Sequence, residues 1–148
     1  MTTETTVKPK AVAKPKAAKA EYVEAVGRRK TAIARVRASA GAKNVYIING
    51  KAVEEYFVTP QLRDIVLSPL AVEGIVGKYS VSAKVSGGGI HAQAEAIRHG
   101  LSRILVKEDA EQKKELKKLG FLKRDSRKKE RKHFGLKKAR KASQWSKR

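Results

Sequence analysis

The chain has 148 residues, of which 35 are Lys or Arg and 14 are Asp or Glu, so its formal net charge is +21. It contains no cysteine, which excludes disulfides and thiolate metal sites, and no apolar run reaches membrane-spanning length. Three histidines, His91, His99 and His133, lack the spacing of zinc ligands, so no metal site is expected. The length predicts one domain with tails, and the charge predicts a polyanionic partner, above all nucleic acid.

Residues 1–20 form a low-complexity segment rich in Lys, Ala and Pro. Pro9 and Pro15 oppose a continuous helix, and the segment has no apolar stretch of the kind found in secretory signals. We therefore expect a disordered extension and a cytoplasmic protein. The composition changes at Glu21, where we place the start of a globular domain over residues 21–122.

The stretch from Tyr22 to Ala38 predicts a strand that enters the fold. From residue 31 onward small apolar residues alternate with Ile33, Arg35 and others, so one face is apolar and the other cationic. Gly27 permits a bend or bulge before the first cations. The cations of this stretch are Arg28, Arg29, Lys30, Arg35 and Arg37. Their arrangement suits a line of phosphates, and the alternative is an ordinary half-exposed strand.

The next segment predicts a short strand over Lys43–Ile48 and a tight turn at Asn49-Gly50. Apolar residues at helical spacing follow, so the turn is expected to feed a helix rather than a hairpin. Thr59 and Pro60 then predict another helix start, as N-cap and first helical residue. One broken helix and two short helices are both compatible with this pattern.

The clearest alternation lies in Lys78–Ser86, which predicts a strand with one buried face. Three glycines, Gly87 to Gly89, end it and precede a helix. The apolar stripe of this helix comprises Ile90, Ala94, Ile97, Leu101 and Ile104 or Leu105, and its polar face carries Gln93, Glu95, Arg98, Ser102 and Arg103. A glycine turn before a helix offers N–H groups to an anion, but no Walker-type Lys-Ser or Lys-Thr follows. We therefore favour an RNA phosphate over a nucleotide substrate.

A final helix is predicted over Asp109–Leu119, with Asp109 and Gln112 spaced as a capping box and Gly120 as the stop. Residues 123–148 then carry thirteen Lys and Arg against two acidic residues, a net charge of +11. This segment has too few apolar residues to bury a core, so it predicts an extended basic tail that becomes ordered on nucleic acid. A solvated tail without a specific partner is the alternative.

Several blocks in order, EAVGRRKTAIARVR, INGKAVEEYF, VSGGGIHAQAEAIRHGLSRIL, FLKRDSRKKERKHFG and SQWSKR, resemble the S-nine protein family of the small ribosomal subunit. The resemblance runs from about Tyr22 to Arg148. Three positions depart from the family pattern: Ala92 stands where glycine is usual, Ser126 where proline is usual, and Trp145 where phenylalanine is usual. The tryptophan keeps a ring that can stack or wedge.

The resemblance implies an α+β fold of the ribosomal S-five domain-two-like type, a four-stranded sheet with helices packed on one side. It also implies a structural, non-enzymatic role without cofactor, small-molecule substrate or membrane. The implied partners are small-subunit rRNA in the head (3′ major domain), neighbouring head proteins, and the anticodon stem-loop of the P-site tRNA.

Charge pattern and resemblance together predict the rRNA contacts, whereas the resemblance implies the tRNA contacts. The predicted rRNA contacts are Arg28, Arg29, Lys30, Arg35, Arg37, Gly87, Gly88, Gly89, Gln93, Arg98, His99, Lys123, Arg124, Arg127, Arg131, Lys132, Lys137, Lys138, Arg140 and Lys141. The predicted tRNA contacts are Gln144, Trp145, Ser146, Lys147 and Arg148. The main alternative is a histone-like, general nucleic-acid-binding protein, which shares the charge but leaves the patterned blocks unexplained. A phosphate-transferring enzyme would rest on the glycine turn alone, and a membrane-active peptide lacks an amphipathic helix in the tail.

Overall fold

The computed structural model describes residues 22–41, 44–72 and 79–147. The predicted extension over residues 1–20 lies outside this part, as does Arg148. The elements in chain order are β1 Val23–Arg29, β2 Ala32–Ala40, β3 Val45–Ile48, β4 Lys51–Ala52, α1 Val53–Tyr56, α2 Pro60–Leu67, a 3₁₀ turn Ser68–Ala71, β5 Tyr79–Ser86, α3 Ile90–Glu108 and α4 Lys113–Lys118.

Within the described ranges, five strands form one mixed sheet in the order β1-β2-β5-β3-β4. The pair β3 and β5 is parallel and the other neighbours are antiparallel. The predicted α+β class is confirmed, but the strand count of four was too low by one. The extra strand is β4, whose two residues pair back onto β3.

The turn at Asn49 and Gly50 explains this difference. Both residues have positive φ, 50° and 84°, as the type I′ hairpin turn requires. The prediction that this turn feeds a helix without a hairpin was therefore wrong: a two-residue strand comes first, and α1 follows at once. Pro60 starts α2 as expected, so the segment contains two short helices rather than one broken helix.

The predicted single strand over Tyr22–Ala38 is in fact the hairpin of β1 and β2. Lys30 and Thr31 form the turn, and Lys30 has φ +50°, a left-handed conformation that a residue other than glycine adopts infrequently. No Gly or Asn marked this turn in the sequence. The predicted alternation from residue 32 is confirmed, since Ala32, Ala34 and Val36 are buried while Ile33 is exposed on the other face.

Helix α3 covers the apolar face of the sheet, and small residues allow it to lie close. A Cβ added to Gly27 would overlap the carbonyl oxygen of Ala96 and lie 2.5 Å from the backbone N of Gly100. A Cβ added to Gly100 would lie 2.7 Å from Cγ2 of Val36. Gly27 therefore serves close helix–sheet packing, not the predicted bend. The family departure Ala92 is buried in the same core.

Side chains of α3 also protect β1, which is an edge strand of the sheet. Arg103 donates a hydrogen bond to the carbonyl of Val26 (2.6 Å), and the Lys107 ammonium donates to that of Glu24 (2.7 Å). Exposed strand edges are templates for unwanted pairing. Covering these carbonyls blocks this edge against a second chain.

The helical predictions differ from the structure at a few positions. In α3, Ser102 was assigned to the polar face but is fully buried, and its hydroxyl donates to the carbonyl of Arg98 (2.8 Å). Ile90, assigned to the apolar stripe, is 58% exposed. Burial of Ser102 is tolerated because the helix's own backbone accepts its hydrogen bond.

The last helix is shorter than predicted. Asp109 accepts a hydrogen bond from the N–H of Glu111 (3.0 Å) instead of forming a capping box, so α4 begins at Lys113. Its end is as predicted, because Gly120 has φ +76° and the N–H of Phe121 donates to the carbonyl of Leu116 (3.0 Å). This is the hydrogen-bond pattern of a Schellman motif. No helix in the described ranges is both long and apolar enough to cross a membrane.

Candidate nucleic-acid interface

A cationic cleft of about 510 Å³ lies where the end of β1, the middle of α3 and the base of the tail meet. The turn at Gly120 directs the chain back over α3, so residues 123–127 form one wall of the cleft. Seven predicted rRNA contacts are brought together in its lining: Arg28, Arg29, Arg98, His99, Lys123, Arg124 and Arg127. Two carboxylates, Glu95 and Asp125, lie among them.

Arg29 is largely enclosed, with a side chain that is 14% exposed. Its Nε lies 2.6 Å from Oε2 of Glu95, and its Nη2 lies 3.1 Å from Oδ2 of Asp125. Its Nη1 donates to the carbonyl of Arg127 (3.1 Å). The structure therefore uses this guanidinium to join β1, α3 and the tail.

Arg98 lies over the Phe121 ring, with the guanidinium carbon 5.3 Å from the ring centroid. Its Nε is shielded from solvent and has no hydrogen-bond partner among the described residues. A buried donor without a partner costs about 1–3 kcal/mol. The neighbouring Arg28, Lys123 and Arg124 line the same cleft and are exposed, so their positive charges are accessible to an anion bound there.

His99 is half-buried between β1 and the tail. Its Nδ1 accepts a hydrogen bond from the N–H of Arg28 (3.4 Å). Burial lowers the pKa of His99, the charges of Arg103, Arg124 and Arg98 lower it further, and a hydrogen bond to the carbonyl of Leu122 acts in the opposite direction. The imidazole is thus neutral at pH 7 and serves as a structural acceptor.

This environment predicts a pH dependence of stability. Because the folded state holds the pKa of His99 below its ordinary value of 6.5, the unfolded chain binds the proton first as the pH falls. We expect the free energy of unfolding to decrease as the pH drops below about 6.5. Urea unfolding at pH 7.5 and 5.5 measures this. His99→Gln should reduce the loss, whereas the exposed His91→Gln should keep it; equal losses in all three proteins would contradict the assignment.

The glycine turn lies against the β1–β2 hairpin. Gly87 and Gly88 have φ of +73° and +66°, and a Cβ on Gly88 would lie 2.9 Å from that of Ala32. Gln93 holds the turn, since its Nε2 donates to the carbonyl of Gly87 (3.1 Å) while its Oε1 accepts from the hydroxyl of Tyr56 (2.8 Å). The predicted contacts at Gly87, Gly88 and Gly89 thus lie beside the turn that carries Lys30.

The open face of the sheet carries a second group of cations. Glu24 binds both predicted arginines, at 3.3 Å from Nε of Arg35 and 2.7 Å from Nε of Arg37. Arg35 lies directly opposite Lys84 in the strand register. Like charges in such a pair are destabilising, so an anion would be favoured on this face. Lys84 was not among the predicted contacts, although the alternation of β5 places it on the solvent-exposed face.

The tail beyond the cleft is exposed except at Leu136 and Ala139, which are partly buried. Glu130 binds Arg140 (2.8 Å) across a turn that contains Gly135. The predicted contacts that face solvent in this part of the tail are Arg131, Lys132, Lys137, Lys138 and Lys141. The predicted tRNA contacts Gln144 to Lys147 are exposed, with Trp145 at 86%, and Arg148 lies outside the described residues. Among the described residues, no three His, Asp or Glu side chains lie close enough together to hold a metal ion.

An α+β domain that carries a cationic cleft and an exposed basic arm defines the class of protein, one that binds a polyanion. The model of the family described as ribosomal protein S9/S16 matches residues 27–148, which include the end of β1, all of β2, the cleft and the whole tail. The chain therefore belongs to the ribosomal protein S9/S16 family, as the sequence predicted. It is a structural, RNA-binding protein of the ribosome, with rRNA and other ribosomal proteins as partners.

Proposed function

We propose that this protein binds rRNA in the head of the small subunit, within the 3′ major domain, among neighbouring head proteins in the cytoplasmic ribosome. The tail is proposed to extend from the domain to the anticodon stem-loop of the P-site tRNA. The observation that carries this proposal is the exposed, cationic tail from residue 128 to 147, which leaves the domain beside a cleft of the same charge.

The cleft is suited to the phosphate backbone rather than to bases. Its exposed donors are guanidinium and ammonium groups, which bind phosphate oxygens without reading sequence. The domain would supply shape through the hairpin and the glycine turn, while the tail would supply many phosphate contacts. This division explains why a small domain carries so much charge outside its core.

The end of the tail has the chemistry that a contact with any tRNA requires. Lys147 and Arg148 can bind phosphates of every tRNA, and the exposed ring of Trp145 can stack on a base or a ribose. Neither contact depends on the anticodon sequence. Such contacts would hold a tRNA without selecting among tRNAs.

Ultraviolet crosslinking of the tagged protein in cells, followed by sequencing of the attached RNA, tests the proposal directly. We expect reads concentrated at a few sites in small-subunit rRNA, with a minor signal from tRNA anticodon arms. Reads scattered over many RNAs without such peaks would refute it and favour a histone-like protein.

Deleting residues 146–148 should weaken P-site tRNA retention while leaving incorporation into subunits intact, because the cleft and most of the tail remain. Filter binding of tRNA to purified variant subunits measures retention, and sedimentation measures incorporation. Losing two phosphate contacts should weaken tRNA binding several-fold, on the order of tenfold at most. Unchanged tRNA affinity in these subunits would defeat the tRNA part of the proposal.

A further inference from the structure

Four side chains form what we call the tail clamp: Arg29 on β1, Glu95 on α3, and Asp125 and Arg127 at the base of the tail. Arg29 contacts both carboxylates, at 2.6 Å and 3.1 Å, and also donates to the carbonyl of Arg127. Asp125 in turn accepts from the N–H of Arg127 (2.8 Å) and binds its guanidinium (2.9 Å). One network therefore links two rigid elements to the first residues of the tail.

Burial distinguishes the two ion pairs of Arg29 from surface ion pairs. The side chains of Arg29, Glu95 and Asp125 are 14%, 18% and 31% exposed, whereas that of Arg127 is 87% exposed. Exposed pairs contribute little, but removing one partner of an enclosed pair leaves the other charge uncompensated. The hydrogen bonds from Arg127 also hold the pKa of Asp125 at about 2, so that its carboxylate is charged at neutral pH.

We propose that the tail clamp fixes the direction in which the tail leaves the domain before any RNA is bound. Arg29 is then a positioning residue rather than a phosphate ligand. The packing of β1 against α3 holds Arg29 and Glu95 in place, and Asp125 can meet Arg29 only if the chain leaves along the cleft. A tail aimed in advance loses less conformational freedom on binding, which favours affinity for a site of fixed shape.

The clamp and simple charge attraction give opposite predictions for one substitution. Asp125→Asn removes a negative charge, so a protein held to RNA by charge alone would bind with equal or higher affinity. If the clamp positions the tail, the same change should weaken binding to structured RNA. The matched control is Glu130→Gln, which removes the same charge from a tail residue paired with Arg140, outside the clamp.

The direction of the tail can be measured without RNA. Because the chain has no cysteine, spin labels can be attached at Ser86→Cys on β5 and at Lys128→Cys in the tail. Double electron–electron resonance then gives the distribution of distances between the two labels. We expect a narrow distribution in the otherwise unchanged chain and in Glu130→Gln, and one at least twofold broader in Asp125→Asn. Arg29→Lys, which keeps the charge but loses the paired geometry, should also broaden it. A broad distribution in the unchanged chain, or a narrow one in Asp125→Asn, would overturn the proposal.

The consequence for RNA rests on the proposed function and is measured separately. Binding to an RNA of the 3′ major domain should be roughly tenfold weaker for Asp125→Asn than for Glu130→Gln, because the base of the tail must then be ordered at the expense of binding free energy. Equal affinities would remove the role of the clamp in RNA binding. If the unchanged chain fails to bind this RNA at all, the proposed function fails, while the distance measurement still decides whether the clamp aims the tail.

Discussion

Gly27→Ala is expected to destabilise the domain by about 3 kcal/mol, the upper part of the usual range for an overpacked core. The new methyl group would overlap the carbonyl oxygen of Ala96 and crowd the backbone of Gly100. Both obstacles are backbone atoms of one helix, so no side-chain rotation relieves them. Helix α3 would have to move away from β1, and the hydrogen bonds from Arg103 and Lys107 to the edge strand would be strained with it.

Urea unfolding followed by circular dichroism measures this effect, and Gly89→Ala is the matched control. Gly89 lies at the start of α3 with φ −101°, and a Cβ there meets nothing within 4 Å. Its replacement should cost less than about 1 kcal/mol, since alanine is only a poorer N-cap than glycine. Equal unfolding midpoints for the two variants would show that the helix and the strand are not in close contact at Gly27.

The parts of the fold that the sequence predicted correctly are those with a local period. Alternation over β5 and the second half of the hairpin identified the buried residues, because a strand places every second side chain on one face. The parts it predicted wrongly depend on conformation without a local marker. Lys30 turns the chain with a positive φ that lysine gives no reason to expect, so one strand was predicted where two exist.

Gly27 illustrates a further kind of error. A glycine within a strand pattern is compatible with a bulge or with close approach of another backbone. Only the position of α3, which begins 63 residues later in the chain, distinguishes the two. Strand β4 escaped prediction for a related reason, since two residues carry no measurable alternation.

In the candidate site, too, the features that depend on contacts between distant residues were the ones that the sequence did not predict. The sequence shows where the cations are, but not which of them form contacts within the protein itself. Glu95 lies 66 residues from Arg29, and Tyr56 lies 37 residues from Gln93. The N–H group that donates to His99 lies 71 residues away. Such pairings follow from tertiary packing. The cations that remain exposed, chiefly those of the tail, are the ones that composition alone described well.

Deleting residues 128–148 is expected to reduce affinity for 3′ major domain RNA by about a thousandfold at physiological salt, the largest effect on function that we predict. The deleted segment holds ten Lys and Arg and one Glu, a net charge of +9, while the cleft and the tail clamp stay in the protein. Each cation that contacts a phosphate releases condensed counterions, so the loss is electrostatic and depends on salt.

The dependence of the association constant on salt is the decisive measurement, because it counts contacts rather than affinity. Each tail cation in contact should add about 0.7 to 0.9 to the magnitude of the slope of log K against log salt. The truncated protein should therefore have a much flatter slope than the full chain. Deletion of residues 144–148 alone removes two cations, Lys147 and Arg148, and should change the slope by less than about two. If the long deletion weakened binding without flattening the slope, the tail would be acting through something other than its charge, and its cations would not be phosphate ligands.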